Sequence, residues 1–236
     1  MKVELIAVTD MLPVPEWVQQ AGFRPVETNP ATLIEMAGRN CYQSWSNPSG
    51  RTTEQYISNL IEHQHFSVLE HASATFLVSG VSRSFTHELV RHRHLSFSQL
   101  SQRYVDESES DFVIPPIIRG DKELEDLVLT CCVKCREAYK EIVRKLDDKL
   151  SKDTSMTKLE RRKRAREAAR SVLPNATETR IVVTGNFRAW REVLTKRLDP
   201  AADMEFQLFS SSVLDILNSI CPQVFSDLKV AYSKNP

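Results

Sequence analysis

The chain has 236 residues, and its 31 Lys plus Arg balance 31 Asp plus Glu to a formal net charge of zero. That length can bury a substantial core in one large domain or two small ones, and neutrality excludes a general nucleic-acid coat while leaving room for local basic patches. No apolar run approaches the roughly 20 residues of a bilayer span, and five cysteines without a regular framework fit reduced thiols.

Met1–Asp10 reads as a strand, and Glu4 and Asp10 argue against a signal peptide, so the cytoplasm is the expected location. Pro13, Pro15 and Pro25 mark irregular connections. Asn29 is placed to cap a helix that Pro30 opens and that carries Leu33, Ile34, Met36 and Ala37 inward to about Cys41. After a loop at 47–50, Thr52 or Thr53 starts a second helix through Ile57, Leu60 and Ile61 to about His63.

His63, His65, Glu70 and His71 invite a metal reading, but the Phe66-Ser67-Val68 break denies them the one-face spacing of His-Glu-x-x-His. Cys131, Cys132 and Cys135 lie in an apolar helical stretch with no second pair at finger spacing, so no metal is expected. Buried thiols are expected there and at Cys41 and Cys221.

A strand is expected over His71–Ser79, with Ala72, Ala74, Phe76 and Val78 alternating inward. Gly80 then ends it, and Val81 to about Arg93 reads as a helix. Its Val81, Phe85 and Leu89 face a core, while Arg83, His87 and Arg91 form a polar stripe. Glu88 lies one turn before Arg91 and is placed to orient it.

From Arg91 to Tyr104 the chain packs Arg91, His92, Arg93, His94 and Arg103 among Ser96, Ser98, Gln99, Ser101 and Gln102. Such a stretch offers many donors and little aliphatic surface. Bidentate guanidinium contacts suit a ligand with phosphates and a flat polar ring; a solvated basic loop is the plain alternative. Ser96–Tyr104 is expected as a loop and short strand that puts Gln99, Ser101 and Arg103 on one side.

Glu107–Asp111 reads as an acidic, mobile segment, and Pro115-Pro116 keeps the next loop extended. A long packing helix is expected from about Asp121 to Lys149, and a second from Met156 to Leu173. The second is rich in Arg161, Arg162, Lys163, Arg164 and Arg166, an electrostatic footprint that supports a nucleic-acid reading. Against it, Leu159, Ala165, Ala169, Val172 and Leu173 supply an apolar stripe, and Glu160 and Glu167 dilute the charge. Glu178–Thr184 reads as a strand, Asn186 caps a helix carrying Trp190, Val193 and Arg197 on one face, and Pro200–Ile220 is a final amphipathic helix ended by Cys221-Pro222. The expected fold is α+β: a small antiparallel or mixed sheet wrapped by helices, in one domain spanning 1–236.

Arg91-His92-Arg93, seven residues and then Ser101 resembles the signature of the flavin-dependent thymidylate synthases, with fitting flanks at Glu88-Leu89-Val90 and Gln102-Arg103-Tyr104. The resemblance runs from about Glu27 to the C-terminus, through Leu69-Glu70-His71, Arg83, Arg170, Gly185-Asn186 and Arg197. It implies reductive methylation of dUMP to dTMP, with methylenetetrahydrofolate as one-carbon donor and NADPH as reductant through FAD. Carried over by residue, Arg83, Glu88, Leu89, Val90, Arg91, Gln99, Leu100, Ser101, Gln102, Arg103, Arg170 and Arg197 would bind dUMP, with Arg197 the catalytic group that stabilises charge on the uracil. His65, Ser67, Arg91, His92, Arg93, Gln99, Asn186, Phe187, Arg188 and Glu192 would hold FAD, and Lys163 is a further dUMP candidate. Glu192 stands where family members more often place Asn or His. The resemblance also implies a homotetramer with sites shared between subunits, and no nucleic-acid or membrane partner. The contrasting expectation is a binding module for RNA or single-stranded DNA that uses the Arg-His-Arg-His stretch, the basic helix and Phe97 or Tyr104 as stacking surfaces.

Overall fold

In the structure, a computed structural model, residues 1–47 and 49–233 are described; Pro48 of the expected 47–50 loop lies outside them. Four strands, β1 (Lys2–Val8), β2 (Ser73–Ser82), β3 (Ser96–Gln99) and β4 (Glu178–Asn186), form one antiparallel sheet in the order β1-β2-β4-β3. The α-helices are α1 (Glu16–Gln20), α2 (Pro30–Tyr42), α3 (Thr53–Glu62), α4 (Arg83–Leu89), α5 (Lys122–Leu150), α6 (Lys158–Ala169), α7 (Phe187–Arg197), α8 (Met204–Ile220) and α9 (Pro222–Ser233). The α+β expectation holds. The chain divides into two compact units, Met1–Lys2 with Val78–Arg91 and Ser98–Ile181, and Val3–Leu77 with His92–Phe97 and Val182–Pro236.

Caps fix the helix starts. Asn29 accepts the Thr32 N–H, Asn186 that of Ala189, Ser82 that of Phe85, and Asp121 that of Leu124. Thr52 with Gln55 and Thr157 with Glu160 form reciprocal capping boxes, each satisfying two backbone donors.

In the first unit, Val78, Val81, Phe85, Leu89, Ala165, Ala169 and Ile181 are buried, and α5 packs along α6. Several expectations are corrected here. Strand β2 runs through Gly80 to Ser82 rather than ending, because glycine accepts φ +66 and because the Met1 nitrogen lies only 3.1 Å from where a Cβ would stand. Helix α4 therefore starts at Arg83 and stops at Leu89. Arg91 lies in the closing turn, its N–H bonded to the Glu88 carbonyl at 3.2 Å, so the polar stripe of Arg83 and His87 does not extend to it. Strand β3 ends at Gln99, and Ser101 opens a turn whose carbonyl accepts from Tyr104 and Val105, so Gln99, Ser101 and Arg103 do not alternate along one strand. The 107–111 segment is anchored: Glu107 is buried, and its N–H donates to the Tyr139 hydroxyl at 3.3 Å. Helix α5 packs less than its periodicity suggests, since Leu124, Leu127 and Val133 are exposed while Cys132 and Tyr139 are buried.

In the second unit the core is aromatic. Trp190 is fully buried, meets Phe76 edge-on at 5.1 Å and donates its indole N–H to the Ala74 carbonyl at 3.1 Å. Phe187 meets Phe225 edge-on at 5.2 Å, and Phe206 meets Phe209 edge-on at 5.7 Å. A smaller cluster joins Met11, Val14, Val18, Phe23 and Trp45. The proline-marked N-terminal region contains α1, and the chain continues past Cys221 into α9 rather than ending its helices there. Glu70 and His71 belong to a 3-10 helix, Phe66–His71, that precedes β2. Ala72, Ala74 and Phe76 are buried as expected. Cys221 is buried, whereas Cys41 and Cys131 are exposed and Cys135 is half-buried, against the expectation of buried thiols.

Candidate active site

In the first unit the nucleotide-binding candidates gather at the start of α4 and the end of α6. The Ser82 cap puts Arg83 at the first helical position, where its N–H donates to the Thr177 carbonyl at 3.0 Å. Burial pulls the Arg83 guanidinium below its ordinary range; Glu107 opposes that pull and the like charge of Arg170 adds to it. Arg170 itself is exposed, at the junction of α6 and a 3-10 turn.

Arg103 is clasped by Glu167, Nε to Oε2 at 3.0 Å and Nη2 to the same oxygen at 2.8 Å. Both side chains are open to water, so the pair is worth about 1 kcal/mol or less and can open for a competing anion. Lys163 lies 5.0 Å from the Tyr104 ring centre and holds the phenol below its usual range through a hydrogen bond. Gln99 spends its amide on Thr86 at 3.0 Å and Thr179 at 3.4 Å, and Leu100 donates its N–H to the Arg180 carbonyl. Gln102 is buried; Leu89 is buried in the core, which leaves its backbone alone for any ligand. Glu88, Val90 and Arg91 are exposed.

The second unit holds two further groupings. Arg197, near the end of α7, donates from Nε to Nε2 of His92 at 3.0 Å and sets its guanidinium 4.6 Å from the Phe206 ring centre. The His92 ring lies 5.7 Å from the same phenylalanine. Accepting at Nε2 requires the neutral ring to keep its proton on Nδ1. Arg197 is therefore held by a ring face and an acceptor.

Around the 3-10 helix lie two cavities, of about 340 and 380 Å³. His65 and Ser67 line one, Glu192 lines the other, and Phe66 and Arg188 line both. Arg188 pairs with Glu70 at 2.5 Å. Glu192 is bonded to Lys196 at 2.6 Å, which holds its carboxyl below the usual range, with His94 and His92 contributing less. Asn186 caps α7 at the Ala189 N–H. Phe187 is fully buried and gives its N–H to the Ala72 carbonyl, so neither side chain nor amide of that residue is open to a ligand. Arg93 is exposed in the turn before β3. An aromatic face, a guanidinium and hydroxyl and imidazole donors around paired cavities fit a flat ring system carrying phosphates.

Sequence reasoning missed Phe206 and the buried Glu35–Arg39 pair, in which Arg39 Nε donates to Glu35 Oε1 at 2.7 Å. The last had a visible signal, Glu and Arg four residues apart on one helix. The basic helix is not a free electrostatic row: Arg166 bonds the Tyr104 carbonyl at 2.6 Å and Asp106 at 3.0 Å, and Glu167 takes Arg103. No cluster of three or more metal-ligating side chains occurs among the described residues, and none of their helices is long and apolar enough to cross a membrane.

Fold and site together define an α+β protein with arginine-rich surroundings suited to nucleotide-type ligands. A family model described as "Thymidylate synthase complementing protein" matches residues 26–223. The chain is 49% identical over 235 residues to a flavin-dependent thymidylate synthase of Mycobacteroides abscessus, covering 98% of this chain and 91% of that protein. It is 46% identical over 234 residues to the protein so named in Mycobacterium tuberculosis, covering 98% and 90%. Its fold is similar to that of thymidylate synthase X from Helicobacter pylori, a structure with FAD and dUMP, at a TM-score of 0.66 and 20% identity over 97% of this chain and 98% of that one. The chain belongs to the flavin-dependent thymidylate synthase family.

Proposed function

We propose that the chain converts dUMP to dTMP by reductive methylation, using bound FAD, methylenetetrahydrofolate as one-carbon donor and NADPH as reductant. The observation that carries the reading is the 49% identity over 98% of the chain to a protein of that named activity. Arg83, Arg91, Arg103 and Arg170 neutralise and orient the phosphate; Ser101 and Gln102 serve ribose and base, with Glu88, Leu89, Val90, Gln99 and Leu100 framing them through side chain or backbone, and Lys163 beside Tyr104 is a further contact. Arg197, preset by His92 and Phe206, stabilises negative charge on the uracil as its carbon 5 becomes nucleophilic. Ser101 is assigned to binding, since its hydroxyl accepts the Arg103 N–H at 3.4 Å and no histidine is bonded to it among the described residues.

His65, Ser67, Arg188 and Glu192 hold FAD around the two cavities, with His92, Arg93, Arg91, Gln99 and Asn186 as the remaining contacts; Phe187, buried with its N–H taken, is left out of the set. Bound FAD supplies the hydride chemistry that side chains lack. The chain acts as a single domain over 1–236, in a cytoplasmic homotetramer whose sites are shared between subunits. In support of one domain, the family match runs through both compact units. Purified protein reconstituted with FAD is expected to form dTMP from dUMP only when methylenetetrahydrofolate and NADPH are both present. Protein that retains FAD and forms no dTMP would refute the reading.

A further inference from the structure

Phe66 stands where the two cavities of the second unit meet. It opens the 3-10 helix, is half-buried, and lines both the 340 and the 380 Å³ cavity. Its N–H donates to the Gln64 carbonyl at 2.9 Å, and Gln64 holds a left-handed φ of +57, so the backbone there is committed to a turn. A turn fixes the backbone and leaves the ring to be placed by its neighbours.

One such neighbour is Arg191 on α7. It lines the 380 Å³ cavity, and its guanidinium carbon lies 5.7 Å from the Phe66 ring centre. The Arg191 side chain is only 11% exposed, against 46% for its partner Asp227. A guanidinium so far from water needs an anion and filled donors. Helix α9 supplies both: Nη1 donates to Asp227 Oδ1 at 2.7 Å and to the Val224 carbonyl, and Nη2 donates to Asp227 Oδ2 at 2.6 Å. Two parallel bonds fix the plane of the fork as well as its place. Asp227 itself lines neither cavity.

We propose that Asp227 and Arg191 are positioning residues for the flavin: the carboxylate on α9 orients the guanidinium, the guanidinium holds the Phe66 ring, and that ring is the shared wall against which FAD binds. The proposal rests on the reading above in which FAD occupies the two cavities. It gives the C-terminal helix a part in cofactor binding although its carboxylate touches no ligand. Without the carboxylate charge the fork is free to turn toward water, and the ring loses the cation that holds it.

The test compares Asp227→Asn, Phe66→Leu and the double variant as full-length protein freed of FAD and titrated with it, the Kd being read from flavin fluorescence. Asp227→Asn is expected to raise the FAD Kd about fivefold. In the Phe66→Leu background the same change is expected to add less than about twofold, because there is no ring left to hold. A Kd within twofold of wild type for Asp227→Asn, or full additivity in the double variant, would overturn the proposal. Tyr232→Phe is the control for loosening of α9, since the Tyr232 hydroxyl donates to the Thr195 carbonyl at 2.8 Å and ties the far end of that helix to α7. It is expected to leave the Kd within twofold; a rise equal to that of Asp227→Asn would mean that helix docking rather than the ion pair sets the affinity, and would also overturn the proposal. Should Asp227→Asn be insoluble, Arg191→Lys, which keeps the charge but loses the planar fork, is expected to raise the Kd about fivefold, and wild-type affinity would overturn the role. Phe66→Leu and Arg188→Ala that both bind FAD as wild type does would instead refute the placement of FAD around the cavities.

Discussion

Replacing Phe206 by Leu removes the ring face under Arg197 while keeping an apolar side chain of similar bulk. Phe206 is fully buried and touches three functional neighbours: Phe209 at 5.7 Å, the His92 ring at 5.7 Å and the Arg197 guanidinium at 4.6 Å. The hydrophobic swap costs about 1–1.5 kcal/mol and the lost aromatic pairing about 1 kcal/mol more. A total of about 2–2.5 kcal/mol lowers Tm by roughly 4–10 °C at this chain length. Phe209→Leu is the control. Phe209 is equally buried and pairs with Phe206 and with Trp190 at 6.4 Å, so its loss costs stability on the same scale but leaves the ring that faces Arg197. A cation–π contact of a half-buried arginine is worth about 1 kcal/mol, equivalent to roughly a fivefold change in the population of placed guanidinium. The assay is dTMP formation per bound flavin at a temperature where both variants are folded. Phe206→Leu is expected to fall about fivefold below Phe209→Leu. Equal turnover in the two variants would refute the claim that Phe206 presets Arg197.

Glu35→Ala strands Arg39, which is 2% exposed and bonded to Glu35 and to the Ser44 carbonyl; chemical denaturation is expected to show a loss of about 3–5 kcal/mol, and a loss under 1 kcal/mol would mean the site relaxes around the charge. Arg191 grips Asp227 with two bonds of 2.7 and 2.6 Å, so Asp227→Asn is expected to loosen α9, seen as faster proteolysis after residue 221 with the rest of the chain intact. Cys41 and Cys131 should react with a disulfide reagent at once at about pH 8, and Cys132 and Cys221 only after unfolding. Burial pushes the Cys221 thiol up to about 12 from an ordinary 9.0. Between those values the unfolded chain gives up a proton that the folded chain keeps, so this group makes stability fall as pH rises above about 9, and a denaturation midpoint that rises there would contradict the assignment. Arg197→Ala is expected to leave Tm within a few degrees and FAD bound while abolishing dTMP formation; unchanged turnover would remove Arg197 from the chemistry.

Local rules reached far into this chain where one residue type decides one feature. Asn29, Thr52 and Asn186 were legible as helix starts because a side-chain oxygen satisfying an orphan N–H depends on near neighbours only. Ala72, Ala74, Phe76 and Val78 were legible because burial of one strand face imposes a period of two. Gly80 misled because glycine serves both to end strands and to bend within them, and the choice here depends on the Met1 backbone nearby. The acidic run after Tyr104 misled because composition says nothing of Tyr139, 32 residues away from Glu107, whose hydroxyl anchors that turn. Within the site, the arginines and the Arg-His-Arg stretch were legible as chemistry. Their partner Phe206 was not, since its contact with the His92 ring joins segments far apart in the chain and leaves no local spacing.

The most direct measurement of the central claim is the visible spectrum of the FAD-reconstituted protein under exclusion of oxygen, followed as NADPH is added with and without dUMP. Retained flavin that bleaches faster with dUMP present, and dTMP that appears once methylenetetrahydrofolate is supplied, is the predicted result. A colourless protein that cannot be reconstituted, or retained flavin whose reduction ignores dUMP and yields no dTMP, would contradict it.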